Sequence, residues 1–290
     1  NKMETLNIYH CNVRSIGNKK KSVDEIIRAN NIDICFLSEL NNKCVPLFKG
    51  YHQFTRYDKR RFHGMTAIVA NHLKGSVIRI PDESELEIVH LVIKDSNPVL
   101  NAIGVYLDVE SRSNVEKVQS VWAQLTAKVD NILERGEAVT LIGDFNRPDT
   151  TKPTMGRKLL VDWLNEEGGT VTLVNDPKVS TRIDPGTKKG SVLDLCIVSE
   201  NIKKCVKKFE VDTNRKMTPF AMIKTKGVVT KKDTDHLAVM VTLKIPMLRK
   251  KREKRRPVIN FRNPQGWVKY KEISDRYATE ILEVVEQTDD

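Results

Sequence analysis

The feature that most limits what this chain can fold into is a succession of short apolar runs, each closing on a polar residue. Ile32–Leu37 is nearly continuously apolar and leads straight into Ser38-Glu39. An apolar run of that length, without alternation, reads as a strand buried on both faces. Leu6–Val13 alternates instead, with Leu6, Ile8, His10 and Asn12 on one face. Met65–Ala70, Leu86–Ile93, Leu100–Tyr106, Val139–Ile142, Val171–Val174, Leu193–Val198, Pro219–Lys224 and Leu237–Ile245 read as further strands. Segments of helical period lie between them. Ser22–Arg28 is short, with Ser22 placed as a cap and Glu25 three residues on. Val115–Leu133 repeats apolar residues every three or four positions and ends at Gly136, and Leu159–Leu164 is a second amphipathic segment. Strands alternating with helices predict an α/β fold.

Composition narrows the partners. The net charge is +11, and only +3 of it belongs to residues 246–290, so the folded part is itself cationic. A cationic globular body favours a polyanion, nucleic acid first. No apolar run approaches the roughly 20 residues that span a bilayer, which excludes a membrane helix. No basic start leads into an apolar stretch, so no secretory signal is expected. The five cysteines include no closely spaced pair and three lie in apolar runs. They read as reduced thiols of an intracellular protein rather than zinc ligands. Met3 follows Asn1 and Lys2, and the chain is read as a segment of a longer one.

A boundary is expected at Ile245-Pro246, because Arg249–Pro257 is a charge run that cannot pack. The expected organisation is a body over 1–245, a basic linker over 246–264 and an amphipathic helix over 265–290. That helix would carry Trp267, Tyr270, Ser274, Tyr277, Ile281 and Val284.

The chemistry sits at strand ends, where side chains are held rigidly beside a crevice. Asn12 ends the first strand and Glu39 the second; Asp144 and Asn146 follow Val139–Ile142. Two apart in extended chain, Asp144 and Asn146 would share a face. Asp194 opens a strand, Asp235-His236 opens the last one, and Tyr106 closes another. Carboxylates, amides, one His and one Tyr, without a nucleophilic Ser or Cys motif, are the inventory of metal-assisted phosphate hydrolysis.

The order of these residues resembles the endonuclease/exonuclease/phosphatase superfamily over about residues 5–245. The closest likeness is to the apurinic-endonuclease-like domain of LINE-type non-LTR retrotransposon polyproteins. Leu6–Ser15 resembles the first motif, Phe36-Leu37-Ser38-Glu39 the glutamate segment, and Arg61–Asn71 the third. Gly104-Val105-Tyr106 resembles the tyrosine segment. Gly143-Asp144-Phe145-Asn146 is the most specific match. Ser180-Thr181-Arg182 and Ser191–Ser199 follow, and Thr234-Asp235-His236 stands for the final Ser-Asp-His.

The resemblance implies a four-layer sandwich of two packed β-sheets flanked by helices, as in DNase I. It implies a Mg²⁺ ion, with Mn²⁺ as a substitute, on Glu39, with Asn12 and Asp235 nearby. It makes Asp144 the residue that orients or deprotonates water, Asn146 and Tyr106 phosphate donors, and Asp194 the holder of His236. Whether Asp144 or His236 is the base stays open at this point. Arg14, Arg61, Thr181, Arg182, Lys188 and Lys189 are the expected contacts to double-stranded DNA, the last two on a hairpin tip within Ile183–Gly190. The resemblance further implies a nick with a 3′-hydroxyl that primes reverse transcription, fusion to a reverse transcriptase, association with the element RNA, and action in the nucleus.

Departures bear on substrate. Leu107-Asp108-Val109-Glu110 replaces the Ala-Pro type of segment and sets two acids near a DNA path. Ser38-Glu39-Leu40 replaces the Gln-Glu-Thr of repair enzymes, and their Trp-Arg-Leu-Asp segment is missing. The alternatives are an abasic-site or other phosphoesterase of the same fold, and a catalytically silent nucleic-acid-binding module.

Overall fold

The computed structural model describes residues 2–41, 45–58, 60, 63–82, 84–148, 153–166, 169–225, 227–248, 267–268 and 270–278. Contacts divide the chain into two units, 1–248 and 249–290. In the second unit residues 267–268 and 270–278 are helical, with Trp267 and Tyr270 in an edge-on ring contact. Ile281, Val284 and the basic run lie outside the described residues.

The first unit contains two six-stranded sheets. One joins β1 (Lys2–Asn12), β2 (Ile34–Ser38), β3 (Tyr51–Arg56), β4 (Met65–Ala70), β13 (Val206–Val211) and β16 (Val239–Met247), in the order β13-β16-β1-β2-β4-β3. The other joins β5 (Val77–Ile80), β6 (Glu87–Ile93), β7 (Leu100–Tyr106), β8 (Ala138–Asp144), β9 (Val171–Leu173) and β12 (Asp194–Ser199), in the order β5-β6-β7-β8-β12-β9. Two hairpins stand apart from both sheets: β10 (Arg182–Ile183) with β11 (Gly190–Ser191), and β14 (Phe220–Thr225) with β15 (Val228–Asp233). The helices are α1 (Lys20–Ala29), α2 (Val115–Glu134) and α3 (Met155–Leu164).

Side-chain parity sorts the strands into layers. Leu6, Ile8, Ile34 and Phe36 pack between the sheets against Leu100, Ala102, Ile142, Cys196 and Val198. The intervening residues Tyr9, Cys11, Cys35 and Leu37 face outward onto Val23, Ile26 and Ile27 of α1. Ile103, Val105, Val139 and Leu141 face outward onto Val121, Trp122, Leu125 and Val129 of α2 and Leu160 and Trp163 of α3. The result is four layers, helix, sheet, sheet, helix, as the sequence implied. The central strands are buried on both faces, which is why Ile34–Ser38 shows no polar alternation.

The expected strands and helices are present with shifted ends. The strand over Val139–Ile142 extends to Asp144, and the helix at Leu159–Leu164 begins at Met155, where Thr154 caps it by accepting from Arg157 N. Asp235-His236 precedes β16 by three residues instead of opening it. The sequence reading passed over β3, β5, β13 and β15, whose faces are half-exposed or exposed and carry little apolar pattern. No described helix is long and apolar enough to cross a membrane. Cys11, Cys35 and Cys196 are free and buried, Cys205 is free and half-buried, and Cys44 lies outside the described residues.

The inter-sheet layer is tight at Gly104, where an added Cβ would fall on the Phe36 ring of the opposite sheet. Gly104→Ala should cost about 1–3 kcal/mol by overpacking. A urea melt that leaves the midpoint unchanged would contradict this close approach.

Buried His90 donates Nε2–H to Asn101 Oδ1 at 2.8 Å. Burial pushes its pKa below the ordinary value, against the pull of that bond. The unfolded chain therefore takes up a proton, near pH 6.5, that the fold refuses. The His90 contribution is complete above that pH and is lost as pH falls below it. In urea melts, His90→Gln should show a smaller drop in stability between pH 7 and pH 5 than the wild type.

Candidate active site

The apolar layer between the sheets turns polar at one end. The inward-facing rows Leu6-Ile8 and Ile34-Phe36 continue to Asn12 and Ser38, and the rows of β7, β8 and β12 reach Tyr106, Asp144 and Asp194. Register brings these residues together: Asn12 pairs with Ser38, and Asp144 pairs with Tyr106 on one side and Asp194 on the other. Gly143 allows this, since a Cβ there would meet the Val105 carbonyl of the neighbouring strand.

One hydrogen-bonded chain links the floor of the site. Asn12 Nδ2 donates to Glu39 Oε1 at 2.8 Å and to Asp144 Oδ2 at 2.9 Å. Tyr106 donates its hydroxyl to Glu39 Oε1 at 3.2 Å. Asp144 Oδ1 accepts from Asn146 N at 3.0 Å. His236 Nδ1 donates to Asp194 Oδ2 at 2.8 Å, and its Nε2 lies 3.8 Å from Asp144 Oδ2. Above this floor opens a cleft of about 590 Å³, lined by Arg14, Glu39, Tyr106, Asn146, Arg182 and His236 among others.

Backbone strain clusters here. Arg14, Ser15, Glu39, Asn41 and Asn146 all have positive φ, at 43°, 93°, 52°, 46° and 50°. Left-handed backbone on residues other than glycine is costly and collects at functional sites. Glu39 therefore turns out of the line of β2 immediately after Ser38. Asn146 corrects one expectation: at φ 50° it is not in extended chain after Asp144, and its side-chain nitrogen donates to Leu107 O at 2.8 Å. The neighbouring Arg147 is buried and fixes this loop by donating to the Asp108 and Asn146 carbonyls, both at 3.0 Å.

Burial sets the charge states. It pulls the His236 imidazole down, but the Asp194 and Asp144 carboxylates outweigh it and hold the pKa at about 9. Burial pushes Asp144 well above the usual carboxylate range, and the Asp194 and Glu39 charges add to the push, while His236 opposes it. Burial would raise Asp194 too, but His236 and His10 keep it below the usual range. Asp194 thus lies between two imidazoles, with His10 Nδ1 at 3.4 Å from Oδ1. His10 also bonds Ser38 Oγ at 3.1 Å. The sequence reading placed His10 on the face of Asn12 and assigned it no role.

The remaining expected residues fall differently. Asp235 meets neither Glu39 nor Asn12 in a contact. Its Oδ1 accepts from Arg14 at 3.1 Å and its Oδ2 from Arg182 at 2.9 Å, so two guanidiniums occupy both oxygens. Asn12 turns its nitrogen to the two carboxylates, and its oxygen accepts from Arg14 N at 3.1 Å. Thr181 is fully buried, and its Oγ1 accepts from Leu193 N and Asp194 N, both at 2.9 Å. It positions Asp194 and has no surface to offer DNA. Lys188 and Lys189 are exposed on the turn joining β10 to β11. Arg61 lies outside the described residues.

The two departing acids are both neutralised. Asp108 pairs with Lys117 at 2.8 Å and Arg60 at 3.2 Å. Glu110 accepts from Met155 N and Gly156 N at 2.9 and 2.7 Å, capping α3, where a negative charge meets the positive helix end. Behind Tyr106, His63 presents its ring edge-on at 5.5 Å and bonds Glu87 at 2.6 Å, a support the sequence did not reveal.

The donor set fits a hard divalent cation. Asn12 and Tyr106 both donate to Glu39 Oε1, which leaves Oε2 without a donor among the described residues. Carboxylate oxygen is the ligand such ions take.

The pattern of the Endonuclease/Exonuclease/phosphatase family matches residues 5–214, so β14, β15 and His236 follow the matched stretch. No curated protein matches the chain. Among solved structures, the endonuclease domain of TRAS1, a telomere-specific non-LTR retrotransposon, is 16% identical, with TM-score 0.58 over 83% of this chain and 98% of that one. The catalytic domain of Xenopus laevis APE2 is 14% identical, with TM-score 0.62 over 85% and 94%. An AP endonuclease from Archaeoglobus fulgidus is 16% identical, with TM-score 0.57 over 82% and 99%. These structures share the four-layer fold, and the family pattern covers most of the chain. The chain belongs to the endonuclease/exonuclease/phosphatase family.

Proposed function

We propose that this protein is a Mg²⁺-dependent DNA endonuclease of a non-LTR retrotransposon. It would nick target DNA and leave a 3′-hydroxyl to prime reverse transcription. The observation that carries the reading is the unbroken chain Tyr106–Glu39–Asn12–Asp144, with the Asp194–His236 pair against it at the floor of an open cleft. Catalysis needs such an arrangement, whereas a binding module gains nothing from carboxylates buried beneath a phosphate.

Each residue has a distinct task. The His236 imidazole donates its Nδ1–H to Asp194, keeps that proton and stays cationic, so it stabilises charge on the phosphate instead of accepting a proton. That leaves Asp144 as the base. Its carboxylate is held at both oxygens, and burial raises its proton affinity toward the neutral range where a base works best. Glu39 would hold Mg²⁺ through Oε2, with Mn²⁺ as a substitute. The ion, when bound, supplies Lewis-acid stabilisation of the phosphoryl oxygens. Arg14 and Arg182, locked on Asp235, present guanidinium edges to the DNA strand in the cleft.

A wider assignment follows from the same reading. The chain would act in the nucleus, with a reverse transcriptase fused to it and the element RNA associated. The abasic-site alternative keeps one support, the likeness in fold to AP endonucleases, and the assay below separates the two.

Supercoiled plasmid should be nicked with Mg²⁺ and not with EDTA, and intact duplex should be cut at least as fast as abasic duplex. Faster cutting of abasic duplex would transfer the assignment to repair. Asp144→Asn should lower nicking by about 10²–10⁴-fold. It should leave the melting temperature unchanged or higher, because it removes a buried carboxylate beside Asp194. Loss of folding together with activity would remove Asp144 from the chemistry. Glu39→Gln should raise the Mg²⁺ concentration needed for half-maximal nicking, and an unchanged Mg²⁺ titration would take Glu39 out of the metal site.

A further inference from the structure

Beside the catalytic cleft lies a second recess of about 480 Å³. The two share Arg14 and Asp235 in their walls. Its other lining comes from four separate parts of the chain. Lys188 stands on the β10–β11 turn, Lys232 near the end of β15, Lys19 just before α1, and Arg215 between β13 and β14.

These cations outnumber the two carboxylates in the wall, Asp233 and Asp235. Among the described residues, none of Lys19, Lys188, Arg215 and Lys232 has a carboxylate within 4.0 Å. The acids in the wall are already taken: Asp233 lies 3.3 Å from Lys231, and Asp235 is held by Arg14 and Arg182. Lys19 is 7% exposed, and its ammonium donates only to the Val13 carbonyl. Burial pushes the Lys19 pKa down, and the charges of Arg14 and Lys232 push the same way, against those of Cys11 and Asp235. Arg215, at φ 54°, donates one of its five N–H groups to the Thr234 carbonyl at 2.6 Å. Like charges gathered in a concave wall repel one another, and a bound anion removes that repulsion.

We propose that this recess is a second phosphate subsite, which grips the backbone of the DNA strand beyond the scissile phosphate between the β10–β11 and β14–β15 hairpins. The proposal rests on the nuclease reading for its substrate. It adds a place and a set of residues: Lys19, Lys188, Arg215 and Lys232 hold a flanking phosphate, while Arg14 spans both sites. Thr234, at the foot of β15, donates to Asn12 O at 2.9 Å. The β14–β15 hairpin is therefore tied to the catalytic floor, and a strand held in the recess is aligned with it.

The test is binding, read apart from hydrolysis. Lys188 and Lys232 are exposed, so Lys188→Ala/Lys232→Ala should fold. Fluorescence anisotropy with a mixed-sequence duplex in EDTA would give Kd across a salt series. Two lost phosphate contacts should reduce the slope of log K against log salt by about 2, with Kd about tenfold weaker at the lowest salt. Lys204→Ala/Lys207→Ala, in the turn before β13 and at that strand's start, is the control and should match wild type. A wild-type slope and Kd in the recess variant would overturn the proposal. So would weakening on an RNA hairpin with duplex DNA unaffected. Wild type that binds duplex through these lysines yet never nicks with Mg²⁺ would sink the nuclease reading and keep the subsite. Nicking wild type with a variant of equal affinity and slope would do the reverse.

Discussion

Two carboxylates, Asp144 and Asp194, stand opposite each other on paired strands, both buried from water. Like charges at that separation in a dry setting cannot both be tolerated without a cation between them. His236 supplies it, bonding Asp194 and facing Asp144. Everything else at this end of the molecule follows from holding that imidazole in place. Thr181 satisfies the backbone behind Asp194, Asn12 and the Asn146 amide fix the two oxygens of Asp144, and His10 takes the other side of Asp194. The pair is worth more to chemistry than to stability, since a buried ion pair seldom outweighs the loss of hydration of its members.

The sheets make this constellation possible by parity. An inward row on a strand is apolar where the opposite sheet covers it and polar where the cover ends. Residues two apart differ only in how far they lie from the middle of the layer. Phe36 and Ser38 illustrate this: the first packs under Gly104, and the second bonds His10. The same rigidity that packs the core therefore sets the site geometry, and no mobile loop is needed to assemble Asn12, Tyr106, Asp144 and Asp194.

Much of this was legible in the sequence, for a physical reason. Central strands are buried on both faces, so Ile34–Ser38 and β8 announce themselves as apolar runs, and the polar residue that ends each run marks the edge of the layer. Edge strands β3, β5 and β13 cover only part of the core and lack that signature. Register is not written in any local pattern, so Asp144 could be named but not placed between Tyr106 and Asp194. Backbone reversal is equally hidden: Asn146 looks extended in sequence and is left-handed in the fold. Asp235 shows a third limit. The resemblance to the family names it for the metal, but no local pattern shows that Arg14 and Arg182, remote in sequence, bond both its oxygens.

The charge distribution resolves a conflict built into hydrolysis of a polyanion. The reaction calls for carboxylates, and the substrate is repelled by them. Here the acids are sunk to the floor and covered with donors, or spent elsewhere: Asp108 on Lys117 and Arg60, Glu110 on the start of α3. The cations that remain are at the rim, on Arg14, Arg182 and the two hairpins. Under the proposed nuclease reading, an approaching strand would meet positive potential first and the acidic floor only at contact distance, where the hydrogen bonds among Asn12, Glu39 and Asp144 fix which oxygens it would face.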